Sequence, residues 1–172
     1  AERTADPADD LARQVGVGAV KYADLSSDRV KDYVFSFDRM LSLEGNTSVY
    51  LQYAHARVLA VLRRAGEDQP GAAPAPAPAP IVLHAEAERA LALQLLQFGA
   101  VVDRVVGSLQ PHHLSTYLYS TATAFSLFYE QCPILKAPDP ATRASRLELV
   151  RHTGRVLRTG LDLLGIEAPD QL

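Results

Sequence analysis

The sequence has 172 residues, of which 48% are hydrophobic, so it can form one domain with a sizeable core and is not an intrinsically disordered chain. A formal net charge of −3 argues against non-specific binding to nucleic acids but allows a local basic patch. The single cysteine, Cys132, excludes an internal disulfide. No uninterrupted apolar run approaches the roughly 20 residues of a membrane span, so we expect a cytoplasmic protein without membrane contact.

The N-terminal part predicts a helix followed by an extended segment. Apolar residues recur at near-helical spacing over residues 9–25, although Gly16 and Gly18 interrupt the pattern. Glycines inside a helix often mark close packing against a neighbour. Aromatic residues then alternate over residues 33–37, which predicts one short extended segment laid on the helices.

A Gly-Asn-Thr turn leads into the next predicted helix, with Asn46 or Thr47 as its N-cap. Four aromatic and basic residues then lie within about 60° of one another on this helix. They are Tyr50, Tyr53, Arg57 and Arg64. Such a stripe suits RNA, because bases stack on tyrosine rings while guanidinium groups meet phosphates. The same spacing also fits partly buried tyrosines and solvated arginines, so the pattern alone leaves both interpretations open.

Residues 66–80 break the helical pattern and end in alternating alanine and proline. Proline restricts the backbone and removes a hydrogen-bond donor, so we expect an extended or disordered linker inside the domain. Helical periodicity returns over residues 84–106. The residues expected to face the core there are Leu91, Leu95, Phe98 and Val102.

Two more helices are predicted before the end of the chain. Pro111 fits the first position of a helix that ends near Gln131, and Asp139 can cap a last helix that Gly165 ends. Their apolar residues are Leu114, Leu118, Phe125 and Phe128, then Leu147, Val150, Gly154, Leu157, Leu161 and Leu164.

The last helix also carries a basic stripe of Arg151, Arg155 and Arg158, at i, i+4 and i+7. A stripe of this kind is more often a solvated surface than a ligand site. His112 and His113 are adjacent, but no cluster with the spacing of metal ligands accompanies them, so we expect no metal site.

Two blocks of the sequence resemble the C-terminal region of arginyl-tRNA synthetases. Residues 15–59, which include EGNTSVYLQYAHAR, are similar to the junction between the catalytic and anticodon-binding domains of these enzymes. Residues 112–135 and 143–172 are similar to their all-helical domain, named DALR. Cysteinyl-tRNA synthetases have a related domain, but EGNT…YLQYA and the final GLDLLGI favour the arginine enzyme.

The resemblance implies an all-α helical bundle with one short extended segment near Tyr33–Phe37. It also implies a junction segment at residues 1–37 and an anticodon-binding domain at residues 38–172, with the linker 66–80 inside it. The His-x-Gly-His and Lys-Met-Ser-Lys-like elements of class I synthetases do not occur in the sequence. We therefore expect the chain to be inactive alone, whether it is a piece of a longer protein or is encoded separately.

The function implied by the resemblance is tRNA binding in translation. The domain would hold the anticodon loop of arginine tRNA for ATP-dependent aminoacylation by a catalytic domain. We expect no cofactor in this chain, and ATP and magnesium in the parent enzyme. The expected partners are arginine tRNA and that catalytic domain, with no DNA or membrane, and the chain is expected to be a monomer.

The resemblance also implies which residues touch the tRNA. The aromatic pocket of the family corresponds here to Tyr50, Tyr53, Tyr129 and Leu172, where Leu172 replaces the usual final methionine. The turn with Gly45 and Asn46 corresponds to a loop that approaches the anticodon stem and loop. The basic candidates are Arg57, Arg151, Arg155 and Arg158. The alternative hypothesis is a stand-alone paralogue that acts as a helical protein-interaction module.

Overall fold

The computed structural model describes residues 6–66 and 79–172, and in these residues the chain forms seven helices and no strand. The helices are α1 (Pro7–Leu25), α2 (Phe37–Met40), α3 (Ser48–Ala65), α4 (Glu86–Leu96), α5 (Phe98–Ser108), α6 (His112–Gln131) and α7 (Pro140–Leu163). The predicted all-α class is confirmed. Of the predicted linker 66–80, residues 67–78 lie outside the described residues, as do residues 1–5.

Capping side chains explain where two of the helices begin. Asp139 is the N-cap of α7, as predicted, and Gly165 follows its last turn with a φ of 67°. At α3 the N-cap is Thr47 rather than Asn46. Its hydroxyl oxygen accepts a hydrogen bond from the Tyr50 N–H at 3.1 Å.

The segment between α1 and α2 is extended only in part. Residues 32–36 are neither helix nor strand, but Phe37 already begins α2, with Ser36 as its N-cap. The prediction that this segment lies on the helices is wrong for most of its side chains, because Val34 is 78% exposed and Phe35 is 50% exposed. No described element covers their outer side.

The helix predicted over residues 84–106 is instead two helices, α4 and α5, separated at Gln97. The Gln97 N–H donates to a carbonyl three residues earlier, which is a tighter turn than that of an α-helix. Because of this turn, α5 directs a different face toward the core than one continuous helix would. Val101 and Val105 pack against the core, whereas Val102 was predicted to do so.

By length and composition alone, Glu86–Ser108 is long and apolar enough to cross a membrane. The segment is not an uninterrupted apolar run, because Glu86, Glu88 and Arg89 lie in its first turn and Asp103 and Arg104 lie near its end. Gln97 also interrupts the segment with a turn, and both halves pack against α6.

Helices α3, α6 and α7 form the centre of the bundle, and α1, α4 and α5 pack around them. Phe125 and Phe128 of α6 are completely buried between these elements, as is Leu51 of α3. The apolar residues predicted for α6 and α7 are all buried, from Leu114 to Leu164. Regular helical periodicity therefore identified this part of the core correctly.

Glycines allow the central helices to approach closely. A Cβ atom at Gly154 would lie 2.9 Å from Val58 Cγ1, and one at Gly160 would collide with Leu118. The close packing predicted for α1 occurs at Gly18, where a Cβ atom would lie 3.1 Å from the amide nitrogen of Gln52. At Gly16 the space is open, so only one of the two glycines of α1 marks a close approach.

A buried ion pair joins α4 to α7. Arg146 Nε donates to Glu88 Oε1 at 2.6 Å, and Arg146 Nη1 donates to the Pro133 carbonyl at 2.7 Å, beyond the end of α6. Burial raises the pKa of Glu88, but hydrogen bonds from the Ala85 N–H, the Arg146 guanidinium and the His84 N–H outweigh it and leave the pKa below its ordinary value. The pair therefore fixes the start of α4 and the end of α6 relative to α7.

Replacing Gly160 by Ala should lower the free energy of unfolding by about 1–3 kcal/mol, because the new methyl group overpacks against Leu118. Gly99→Ala is the matched control, since it also lies in a helix but has open space around it. There the alanine should stabilise the protein by about 0.5–1 kcal/mol. Urea denaturation would compare the two variants, and equal losses at both positions would contradict the close packing.

Glu88→Ala should destabilise the fold by about 3–5 kcal/mol, because it leaves the Arg146 charge buried without its partner. The control is Glu86→Ala in the same first turn of α4, where the side chain is exposed. That change should stay within about 0.5 kcal/mol. Thermal and chemical denaturation would show the difference, and a similar small effect of both changes would refute a structural role for the pair.

Candidate nucleic-acid interface

An open groove of about 580 Å³ lies where α3, α6 and the last residues of the chain meet. We call it the α3 groove. Its aromatic, basic and terminal lining residues are Tyr53, Arg57, Arg63, Arg64, Tyr129 and Leu172. In the described part of the chain, no acidic side chain lines this groove. The groove therefore combines ring faces with positive charge, although the whole chain is acidic.

The groove exists because α3 has two different faces. Leu51 and Val58 are completely buried in the core, whereas Tyr53 remains 44% exposed on the other side. Arg57 follows Tyr53 by one helical turn and therefore extends over the same face. Residues that lie three or four apart on a helix share one face, so the core and the groove use different residues of α3.

A cation–π contact spans the groove. The Arg57 guanidinium carbon lies 4.1 Å from the centre of the Tyr129 ring. This contact joins α3 to α6 and holds two flat groups next to each other. Unstacked nucleic-acid bases bind to aromatic rings and to guanidinium planes of this kind.

The structure brings together four of the predicted site residues: Tyr53, Arg57, Tyr129 and Leu172. Tyr50 does not line the α3 groove. Its ring packs against that of Tyr119, with 5.6 Å between the centroids, and its hydroxyl lies 3.4 Å from Ser126 Oγ.

Gly45 and Asn46 lie at a separate pocket before α3. Gly45 has a φ of 83°, which favours glycine in this turn. The buried Tyr22 hydroxyl donates to Asn46 Oδ1 at 2.6 Å and therefore orients the amide. From Thr47 to Arg57 the distance along α3 is about 15 Å, so one extended ligand can reach both places.

The arginine stripe of α7 is divided between different partners. Arg151 forms an ion pair with Glu148, which also accepts a hydrogen bond from the Ala79 N–H at 2.9 Å. Arg158 lies 4.0 Å from the Asp170 carboxylate, and Arg155 is exposed. None of the three lines the α3 groove. Arg151 thus helps to anchor the residues before α4, which its helical spacing did not reveal.

The sequence did not identify every residue at the groove. Arg64 was predicted to lie on the stripe but was not among the residues expected to touch the tRNA. Arg63 was missed because it lies on a neighbouring face of α3. Gln52 and His55 do not line the groove, but they were also missed, although both are polar residues on the largely apolar buried side of α3. A buried polar side chain needs a hydrogen-bond partner. Polar residues at positions that helical periodicity assigns to the core were therefore the signal that could have indicated a partner outside α3.

In residues 6–66 and 79–172, no group of three or more His, Cys, Asp or Glu side chains could hold a metal ion. His112 and His113 instead lie against each other, with 4.2 Å between the ring centroids. The thiol of Cys132 is buried and its pKa is raised by that burial, as expected for a packed side chain.

Two family models match the chain. The model of the DALR anticodon binding domain matches residues 51–172, and that of the catalytic domain of class I (R) tRNA synthetases matches residues 2–37.

Curated relatives and solved structures agree with these matches. The chain is 54% identical to an arginine–tRNA ligase of Frankia casuarinae over 98% of its length, and 53% identical to that of Thermobifida fusca over 94%. It spans only 28% and 27% of the two relatives. The arginyl-tRNA synthetase structure from Thermus thermophilus has a TM-score of 0.84 at 35% identity, covering 99% of this chain and 29% of that one. The arginyl-tRNA synthetase structure from Plasmodium falciparum has a TM-score of 0.82 at 30% identity, covering 96% of this chain and 28% of that one.

The pH dependence of folding should report on His55. Burial lowers the pKa of this residue below its ordinary value of 6.5, and Arg158 lowers it further, against opposing effects of the Pro169 carbonyl and Asp170. As the pH falls below 6.5, the unfolded chain gains a proton that the folded chain resists, so stability decreases until the pH reaches the folded pKa.

His55→Asn keeps a donor near the position of Nδ1 but does not titrate. Urea denaturation between pH 7 and pH 5 should therefore show a smaller loss of stability in this variant than in the unmodified chain. Parallel losses in both proteins would show that His55 does not resist protonation.

Proposed function

The chain belongs to the DALR anticodon-binding domain family, and from this premise we propose that it binds the anticodon loop of arginine tRNA in the α3 groove. The arginine–tRNA ligases among its relatives support this choice of tRNA. The observation that carries the proposal is the meeting of Tyr53, Arg57, Tyr129 and Leu172 in one groove.

The chemistry of the groove fits an unstacked base with its phosphates. The tyrosine rings offer flat surfaces to a base, and the Leu172 side chain adds an apolar edge. Arg57, Arg63 and Arg64 supply charge for the flanking phosphates. All arginine codons have G at the central position, so the base common to arginine anticodons is the central C, and we propose that this base enters the groove.

The other predicted contacts belong to the same proposal. The turn with Gly45 and Asn46 lies at the start of α3 and is exposed, so it can meet the anticodon stem and loop while the base enters the groove. Tyr50 would act indirectly, through its packing against α6. Arg155 and Arg158 would provide attraction at longer range, whereas Arg151 is already occupied by Glu148.

A catalytic domain would complete the reaction. Residues 2–37 match part of such a domain and residues 51–172 match the DALR model, which supports the proposal of a junction at 1–37 and an anticodon-binding domain at 38–172. The exposed side chains of Val30, Val34 and Phe37 offer an apolar surface on which the rest of a catalytic domain can pack. We propose that this domain uses ATP and magnesium to aminoacylate the tRNA in the cytoplasm, while the present chain, a monomer, contributes orientation and not chemistry.

The alternative hypothesis was a stand-alone paralogue acting as a protein-interaction module. The curated relatives reported above are arginine–tRNA ligases, which gives this alternative no support. In the α3 groove, Arg57, Arg63 and Arg64 lie beside the exposed Tyr53, which supports RNA over DNA as the ligand because RNA-binding sites commonly stack unpaired bases.

The test is binding of the chain to arginine tRNA at low salt, measured by fluorescence anisotropy, with a variant tRNA carrying G at the central anticodon position. The chain should prefer the natural tRNA. Tyr53→Ala should weaken binding by about 1–3 kcal/mol, or roughly 5- to 150-fold, because a stacked base loses its ring.

Phe35→Ala is the control, since Phe35 is 50% exposed, similar to Tyr53, and lines neither the α3 groove nor the pocket at Gly45 and Asn46. It should leave the affinity unchanged within about twofold. Equal binding of both tRNAs, or equal effects of the Tyr53 and Phe35 changes, would contradict base recognition in the groove.

A further inference from the structure

The last eight residues of the chain, 165–172, are held through their main chain. Four of their carbonyl groups accept hydrogen bonds from four side chains of α1 and α3. The pairs are Lys21 with Gly165 O at 2.5 Å, Gln52 with Glu167 O at 2.8 Å, His55 with Pro169 O at 3.4 Å, and Arg63 with Asp170 O at 3.2 Å. We call this set the carbonyl ladder. Because every residue has a carbonyl, the ladder fixes the path of the segment independently of most of its side chains.

Two members of the ladder are unusual for a helical core. Gln52 is completely buried and His55 is 1% exposed, on a largely apolar side of α3 where Ser48 is the other buried polar residue. Burying such groups is unfavourable unless they find partners, and the carbonyls of the final segment are among those partners. Since a carbonyl can only accept, the Nδ1 atom of His55 must carry the proton, which agrees with a neutral ring in the folded protein.

The ladder ends at the α3 groove. Arg63 donates to Asp170 O and also lines the groove, and the next two residues of the chain, Gln171 and Leu172, line it as well. The final side chain thus reaches the groove from a point that α3 holds in place. An extended chain advances about 3.3 Å per residue, so one residue of slippage would take Leu172 away from its place.

We infer that Gln52, His55 and Arg63 are positioning residues that set the register of the final segment, so that Leu172 forms one wall of the base-binding groove. This inference rests on the proposed function for its meaning in RNA recognition. Lys21 and the exposed ion pair between Arg13 and Glu167 hold the beginning of the segment. Gln52 sets the middle, while His55 and Arg63 determine where it enters the groove.

Two pairs of variants test the inference. His55→Leu removes the ladder donor, and His55→Asn retains one near the same position. Insertion of a glycine between Asp170 and Gln171 leaves all four ladder contacts possible but moves Leu172 on by one residue. Its control is Asp170→Ala, which keeps the main-chain carbonyl and removes only an exposed carboxylate.

Three measurements are made on each variant. Methyl NMR of the free protein reports whether Leu172 is close to tyrosine rings, because aromatic rings shift nearby methyl signals. Anisotropy with the natural and central-G tRNAs reports the preference for the central C. Thermal denaturation identifies any variant that is unfolded at the temperature of the assay.

We expect the Leu172 signal to move to its solvent position in His55→Leu and in the insertion variant, and to remain in place in His55→Asn and Asp170→Ala. In the two displaced variants the preference for the central C should fall by about fivefold or more, equivalent to about 1 kcal/mol. Because the insertion lies outside all helices, its effect does not depend on a stable His55 substitution.

The contrary outcomes separate the two proposals. An unmoved Leu172 signal in His55→Leu would overturn the carbonyl ladder. A displaced signal with an unchanged base preference would overturn the role of Leu172 in recognition and leave anticodon binding intact. If the unmodified chain shows no preference, the proposed function fails, and the role of the ladder in recognition fails with it, even where the NMR result supports the ladder itself.

Discussion

Helix α3 contacts four neighbouring parts of the chain, and these contacts determine which of its faces is left to bind a ligand. It packs on α1, α6 and α7, and its buried polar side chains bind the final segment, 165–172. Only the face that carries Tyr53, Arg57 and Arg64 is left to form the α3 groove. Small changes in the packing of α3 would therefore move the groove, because its lining residues and the core residues belong to the same rigid helix.

The charge distribution shows why a net charge of −3 is compatible with a basic groove. Several carboxylates are occupied elsewhere: Glu88 pairs with Arg146, Glu148 with Arg151, and Glu167 with Arg13. These pairs hold the start of α4, the residues before it and the final segment. The acidic side chains that give the chain its net charge are thus partly used to assemble the bundle, and none of these three carboxylates lines the groove. Local charge, which acts over about 10 Å at moderate salt, is what a bound phosphate experiences.

The sequence predicted the features that depend on neighbouring residues. The cap at Asp139 and the buried stripe from Leu147 to Leu164 follow from helical periodicity and from a local hydrogen bond. The break at Gln97 was missed because neither glycine nor proline occupies that position. The carbonyl ladder could not be predicted, since Gln52 and Glu167 are 115 residues apart and a carbonyl acceptor has no sequence signature. The tyrosine stripe was found, but periodicity could not show that Tyr50 packs against Tyr119 while Tyr53 faces the groove.

The contact between Arg57 and Tyr129 raises the question of whether the groove is already filled. A cation–π contact at an exposed site contributes about 0.5–1 kcal/mol, whereas stacking of a base on an aromatic ring contributes about 1–3 kcal/mol. A base can therefore replace the guanidinium on the ring, or stack on the outer face of the guanidinium, with a net gain in either case. A displaced Arg57 would remain tethered to α3 beside the phosphates of the same nucleotide, where its charge is again useful. The resting contact thus keeps the ring and the guanidinium ordered before binding, which lowers the entropy that the ligand must overcome.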